Sequence, residues 1–268
     1  MMEKRIQETF NQLIEQISHM DSVKVIGISG ELRPFPEPGK GDFDIFIYCD
    51  EIPSEQERHN SIKKLGDSIN NVKSSVFCND KWGLSDYCTI EGIDTWMMYF
   101  NKEDAEKDAQ EILDGEHLGK VDNYYYPIGR LGMFKNLTVL YETDDFIKQL
   151  KRTLESYPET LKEKIIEYNL QALDDVEDLE RAVYRKDVLF YHFALDLAID
   201  HFLMALFALN ETYFPSRKRS LQYIEKFEKK PTDCSKRLLA IIKDGAEVEN
   251  IGTSYEAFRQ LCEELKQY

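Results

Sequence analysis

Apolar and polar positions repeat with two different periods along this chain, and the change between them divides it. Residues 3–19 place Ile6, Phe10, Leu13, Ile14 and Ile17 three or four apart, one apolar stripe on an amphipathic helix. Residues 23–28 are a short β-branched run ending at glycines, which predicts a strand. Pro34, Pro36, Pro38 and Gly39 then keep residues 31–41 in a loop. Residues 43–49 predict a second strand. Residues 54–69 predict a helix, opened by Ser54 with Glu57 three positions on, the spacing of a capping box. Further strands are expected at 76–77, within 89–100 and at 137–141. From Asp144 onward the strand period disappears. Helical periodicity runs through 145–156, 159–185, 188–210, 216–227, 233–243 and 254–266, with Asn210 as a C-cap and prolines at 158, 215 and 231 as breaks.

Strands mixed with helices followed by helices alone predict the α+β class. A mixed-sheet α/β domain over 1–143 precedes an all-α bundle over 144–268. The chain's 268 residues suffice for two such cores. The most apolar stretch, 188–209, is interrupted by His192, Asp196, Asp200 and His201, so no membrane span is expected. Residues 1–5 lead into an amphipathic pattern instead of an apolar leader. Five cysteines without paired spacing read as reduced thiols, and the expected location is the cytoplasm.

Charge narrows the function. With 50 acids against 34 bases the net charge is −16, a field that repels nucleic acid and either serves solubility alone or favours cationic small molecules. The excess is −11 over 1–143 and −5 over 144–268. Residues 211–243 form the one basic island, nine bases to four acids.

The chemistry-bearing segment begins with the Ser29-Gly30 turn, continues through an eleven-residue loop, and ends in Asp42-Phe43-Asp44-Ile45. Alternation along a strand puts Asp42 and Asp44 on one face and Phe43 and Ile45 on the other. Two adjacent carboxylates repel unless a cation sits between them, and Mg²⁺ is held by such carboxylates together with substrate phosphates. A glycine turn brings backbone N–H groups close to an anion. A third acid is then required as metal ligand or proton acceptor. Asp94, opening an apolar strand, is the candidate, with Glu91 and Asp86 as nearby substitutes.

With these residues the sequence resembles the nucleotidyltransferase superfamily related to DNA polymerase beta. Within it, the likeness is to the small bacterial branch that modifies aminoglycoside and lincosamide antibiotics. That pattern has a Gly-Gly or Gly-Ser pair, a gap, Asp-apolar-Asp/Glu-apolar, and a later acid among apolar residues. Here the pair is Ser-Gly, a departure that bears on the phosphate loop. The resemblance spans roughly residues 25–100 and implies transfer of a nucleoside monophosphate, AMP for preference, from an NTP such as ATP to a hydroxyl of a small molecule. It implies two Mg²⁺ ions on Asp42, Asp44 and Asp94, and phosphates held by Ser29 and Gly30. Lys218, in the basic run Arg217-Lys218-Arg219, would reach the triphosphate from the helical domain. The alternatives are transfer onto a protein side chain, as in antitoxin-type enzymes, and a nucleotide-binding module without turnover.

Other features carry competing readings. His192 and Asp196 share a helix face, where a structural pair competes with an acceptor-pocket role. Arg185 and His192 loosely echo the Arg…His motif of helical ribonucleases. Tyr124-Tyr125-Tyr126 suits either packing between domains or stacking on a base or sugar ring. His19, His59 and His117 read as surface residues, and the cysteines lack a nucleophile context.

Overall fold

The structure, a computed structural model, describes residues 2–79, 83–119, 126–174 and 177–268. It is α+β, with a mixed sheet in the first half and helices in the second. The chain forms two compact units, each discontinuous: residues 1–110 with 133–155, and residues 111–132 with 156–268. A boundary at 143/144 therefore does not separate them.

In the first unit, α1 (Met2–Ser18) and α2 (Glu55–Lys63) accompany a six-stranded sheet. Its strands are β1 (Val23–Ser29), β2 (Asp42–Cys49), β3 (Ile69–Asn79), β4 (Gly83–Ile90), β5 (Ile93–Asn101) and β6 (Leu137–Glu142). The spatial order is β3-β4-β5-β2-β1-β6, and β2 and β5 run parallel while every other pair is antiparallel. Strand alternation sorts the side chains. Ile26, Ile28, Phe43, Ile45, Ile47, Ile93, Met97 and Tyr99 join Ile6, Phe10, Leu13 and Ile17 of α1 in one buried core. Phe10 meets Phe43 at 4.7 Å between ring centroids. Each fully buried side chain of this size contributes about 1.5–3 kcal/mol of transfer free energy, so the α1 stripe secures that face of the sheet. The opposite face is left to other residues, among them Asp42 and Asp44.

Several element boundaries differ from expectation for local reasons. The helix expected over 54–69 ends at Lys63, because Gly66 takes a positive φ and a strand begins at Ile69. Ser54 does cap it, its side chain accepting the Glu57 N–H. The apolar run 89–100 is two strands, folded back at Glu91-Gly92, where both residues have positive φ as a two-residue hairpin requires. Residues 144–155 pack in this unit: α5 (Phe146–Thr153) sets Phe146 against Tyr48 at 5.6 Å, and Glu142 Oε1 accepts the Ile147 N–H. Two helices absent from the sequence reading, α3 (Lys102–Leu113) and α4 (Pro127–Asn136), lie between β5 and β6 along the chain.

The second unit is built on α6 (Glu159–Asp174), α7 (Glu177–Arg185), α8 (Val188–Leu209), α9 (Ser220–Lys226), α10 (Cys234–Gly245) and α11 (Ile251–Leu265). Over 159–185 the described residues are helical on both sides of residues 175–176, which lie outside them, and α9 starts four residues later than expected. Asp187 caps α8 and Asn210 closes it, the Asn210 amide exchanging hydrogen bonds with the Lys229 backbone. By length and composition α8 is apolar enough to cross a membrane, with a mean hydropathy of 1.5. It serves here as the core helix: 61% of its most apolar window is buried, and Phe207 packs on Phe214, Tyr223 and Phe227.

Candidate functional site

Strand pairing brings together the acids that the sequence separates by fifty residues. In the parallel register of β2 and β5, Asp42 lies directly beside Asp94 and Asp44 beside Trp96. Paired residues point to the same face, so Asp42, Asp44 and Asp94 share the face opposite the α1 core. Neighbouring strands are ~4.8 Å apart, close enough for two carboxylates to hold a common ion. Asp42 and Asp94 are exposed and Asp44 is half-buried. All three donors are carboxylate oxygens, the set that suits a hard cation such as Mg²⁺.

The Ser29-Gly30 turn belongs to the same unit. β1 and β2 pair Ile28 with Ile45, and the next step of that register sets Ser29 alongside Asp44. Ser29 is exposed at the strand end, and Gly30 has φ +76°, a left-handed conformation that glycine adopts without strain. The Thr138 hydroxyl donates to the Gly30 carbonyl and fixes the turn. From there the loop returns over the core edge, where Phe35 packs edge-on to Phe43 at 6.0 Å and delivers the chain to Asp42.

The two substitute acids do not belong to this site. Asp86 points into the core face and is 0% exposed, paired with Arg58, which is 1% exposed. Arg58 Nε donates to Asp86 Oδ2 at 2.8 Å and Nη2 to Oδ1 at 3.2 Å, while the Ser75 N–H donates to Oδ1 at 2.8 Å. Glu91 sits in the hairpin turn and pairs with Arg5 at 2.8 Å. Both are structural.

Asp94 has a partner that sequence reasoning missed. Tyr87 Oη donates to Asp94 Oδ1 at 2.6 Å. Tyr87 lies opposite Trp96 on β4 and β5, their ring centroids 4.9 Å apart, and Phe77 meets Trp96 at 5.9 Å. An aromatic wall thus stands on the acid-bearing face. The hydrogen bond to Asp94, with partial burial, raises the Tyr87 phenol above its ordinary pKa. Reading Glu91-Gly92 as a hairpin turn would have exposed this pairing in the sequence.

In the second unit Lys218 is exposed, its backbone N–H held by Ser216 Oγ at 3.1 Å. Arg217, Lys218 and Arg219 precede α9, and Arg219 is its left-handed N-cap residue, so the three are not the helical start expected. Arg217 is committed to ion pairs with Asp196 and Asp200. Asp196 therefore pairs with Arg217 in place of His192. Tyr126 is buried against Phe214 at 5.1 Å and hydrogen-bonds Asp200; Tyr124 and Tyr125 lie outside the described residues. Arg185 is exposed at the end of α7. Glu111, Glu116 and His117 bring ligand atoms within 4.8 Å of one another, the one such group among the described residues; the three aspartates are not that close. His117 is half-buried and 3.0 Å from Glu111, so it is not a free surface residue. Burial pushes the thiols of Cys49, Cys88, Cys234 and Cys262 up to about 12, which keeps them protonated.

A family model described as a domain of unknown function (DUF4037) matches residues 126–219. The chain is similar in structure to a nucleotidyltransferase-like protein from Exiguobacterium sibiricum. That likeness has a TM-score of 0.50 and 11% identity, covering 96% of this chain and 74% of the other. Among curated proteins no sequence matches.

Proposed function

We propose that this chain transfers a nucleoside monophosphate, AMP from ATP for preference, onto a hydroxyl of a small molecule. The observation that carries the reading is the β2–β5 register, which sets Asp94 beside Asp42 with Asp44 on the same face. The fold shared with a nucleotidyltransferase-like protein is consistent with it.

Asp42 and Asp44 would hold Mg²⁺ ions, with Asp94 as a further ligand or as the base. Bound there, Mg²⁺ neutralises triphosphate charge and acidifies an acceptor hydroxyl. Ser29 and the Gly30 turn receive the terminal phosphates through hydroxyl and backbone N–H groups. Asp94 takes the acceptor's proton as the new ester bond forms. In-line displacement at the α-phosphorus then depends on positioning and charge more than on covalent help from the protein. An antibiotic-like, cationic acceptor would suit the −16 field.

Isothermal calorimetry with Mg²⁺ and a non-hydrolysable ATP analogue tests the site. Saturable binding by the wild type and its loss in Asp42→Asn/Asp44→Asn are expected. Equal affinity in the double variant refutes the assignment. Pyrophosphate release with a panel of hydroxylated amines then tests turnover.

A further inference from the structure

Tyr87 is half-buried on β4 and directs its hydroxyl at Asp94, with Oη and Oδ1 2.6 Å apart. Its ring is held from the sides. Trp96 stands across the strand pair, and Lys73 Nζ lies 5.6 Å from the ring centroid. A hydroxyl within hydrogen-bond reach of a carboxylate base, on a ring fixed by its neighbours, is the arrangement of a nucleophile with its general base. Among the described residues Tyr126 also bonds a carboxylate, that of Asp200, but in the second unit, and further tyrosines are placed differently. Tyr48 and Tyr99 bury hydroxyls with no hydrogen-bond partner among the described residues, and Tyr191 pairs with Ser254. Tyr255 donates to Glu180 in the second unit, outside the strand pair that carries the three aspartates.

We propose that Tyr87 is itself a nucleotidyl acceptor, so that the chain modifies its own phenol. This rests on the nucleotidyl-transfer reading above. A lone pair on Tyr87 Oη forms the bond to the α-phosphorus of the NTP. The bond from that phosphorus to the bridging oxygen breaks, and its electron pair leaves with pyrophosphate. The phenolic proton passes to Asp94 Oδ1. The product, a tyrosyl nucleotide phosphodiester, fills the space beside Asp94 where any other acceptor hydroxyl must stand. Self-modification thereby closes the site to external acceptors.

The full chain is incubated with Mg²⁺ and α-³²P-labelled NTPs, and the label is mapped by digestion and tandem mass spectrometry. Binding of Mg²⁺ with a non-hydrolysable NTP analogue is measured by calorimetry in parallel. Label on Tyr87 is expected, with none on Tyr87→Phe, which keeps the ring and whose folding is checked by circular dichroism. Asp94→Asn should slow labelling by about 10²–10⁴-fold, the usual contribution of a general base. Label confined to another residue overturns self-modification at Tyr87. So does an unlabelled wild-type chain that binds the analogue, and in that case the nucleotidyl-transfer reading survives. A wild type that binds no analogue overturns both.

Discussion

Asp86 and Asp94 are eight residues apart on one hairpin, and exchanging each for asparagine separates a core acid from the acid proposed for the site. Asp86 is fully buried and accepts three hydrogen bonds, two from Arg58 and one from the Ser75 N–H. Asp86→Asn keeps the size but removes the charge that balances a buried guanidinium. Breaking a buried pair in this way costs about 3–5 kcal/mol, because the partner charge remains. Arg58 retains the Pro53 carbonyl at 2.6 Å and Ser75 Oγ at 3.0 Å, which favours the lower end of that range. About 3 kcal/mol at an m-value of about 2 kcal/mol/M moves a urea midpoint down by about 1.5 M. Asp94 is exposed beside Asp42, so Asp94→Asn relieves like-charge repulsion and should leave stability within about 0.5 kcal/mol. Urea titration followed by the fluorescence of Trp96, in the same unit, measures both. Mg²⁺ titration of the folded variants supplies the converse: Asp94→Asn weakens binding and Asp86→Asn does not. A stable Asp86→Asn, within about 1 kcal/mol of the wild type, or one that folds but loses Mg²⁺ while Asp94→Asn keeps it, would refute the assignment of the third acid.

Gly27→Ala should destabilise the first unit by about 1–3 kcal/mol, because a Cβ there falls 2.6 Å from Leu137 Cγ in a packed interior; a denaturation midpoint equal to wild type counts against it. Tyr48→Phe removes a buried hydroxyl that has no hydrogen-bond partner among the described residues, so stability should hold or rise by up to about 1 kcal/mol. A drop of that size would show that the hydroxyl is satisfied in solution. His201, hydrogen-bonded to Asn169 at 2.8 Å, has its pKa lowered by burial. As pH falls below the ordinary value of about 6.5 the unfolded chain takes up the proton first. Stability of the second unit should therefore decline from there to the folded-state pKa and level off below it. His201→Gln should flatten that decline in urea midpoints compared across pH, and an unchanged slope would argue against His201 as its source.

Much of the fold was legible because it depends on local periodicity. The α1 stripe, the β1 and β2 runs and the Asn210 cap are each set by side chains within a few residues, and all appear as expected. The alternation Asp42-Phe43-Asp44-Ile45 already assigned faces, since Phe43 and Ile45 had to be inside. What failed did so where a turn or a distant partner decides. The 89–100 run was too apolar to show where it reverses, although Glu91-Gly92 carries that signal. Residues 144–155 have helical periodicity like the bundle, yet Phe146 has its aromatic partner, Tyr48, in the sheet.

By itself the sequence determined that acids alternate with core residues beside a glycine turn, because the strand period of two forces that arrangement whatever surrounds it. Only the tertiary structure decided which later acid lies on their face. Asp86 and Asp94 look equivalent along the chain, but antiparallel register sends them to opposite faces of the sheet. One neutralises a buried arginine, and the other faces Asp42 and a tyrosine hydroxyl. The physical reason is that face and register are properties of strand pairing, and pairing is a relation between segments that no single segment contains.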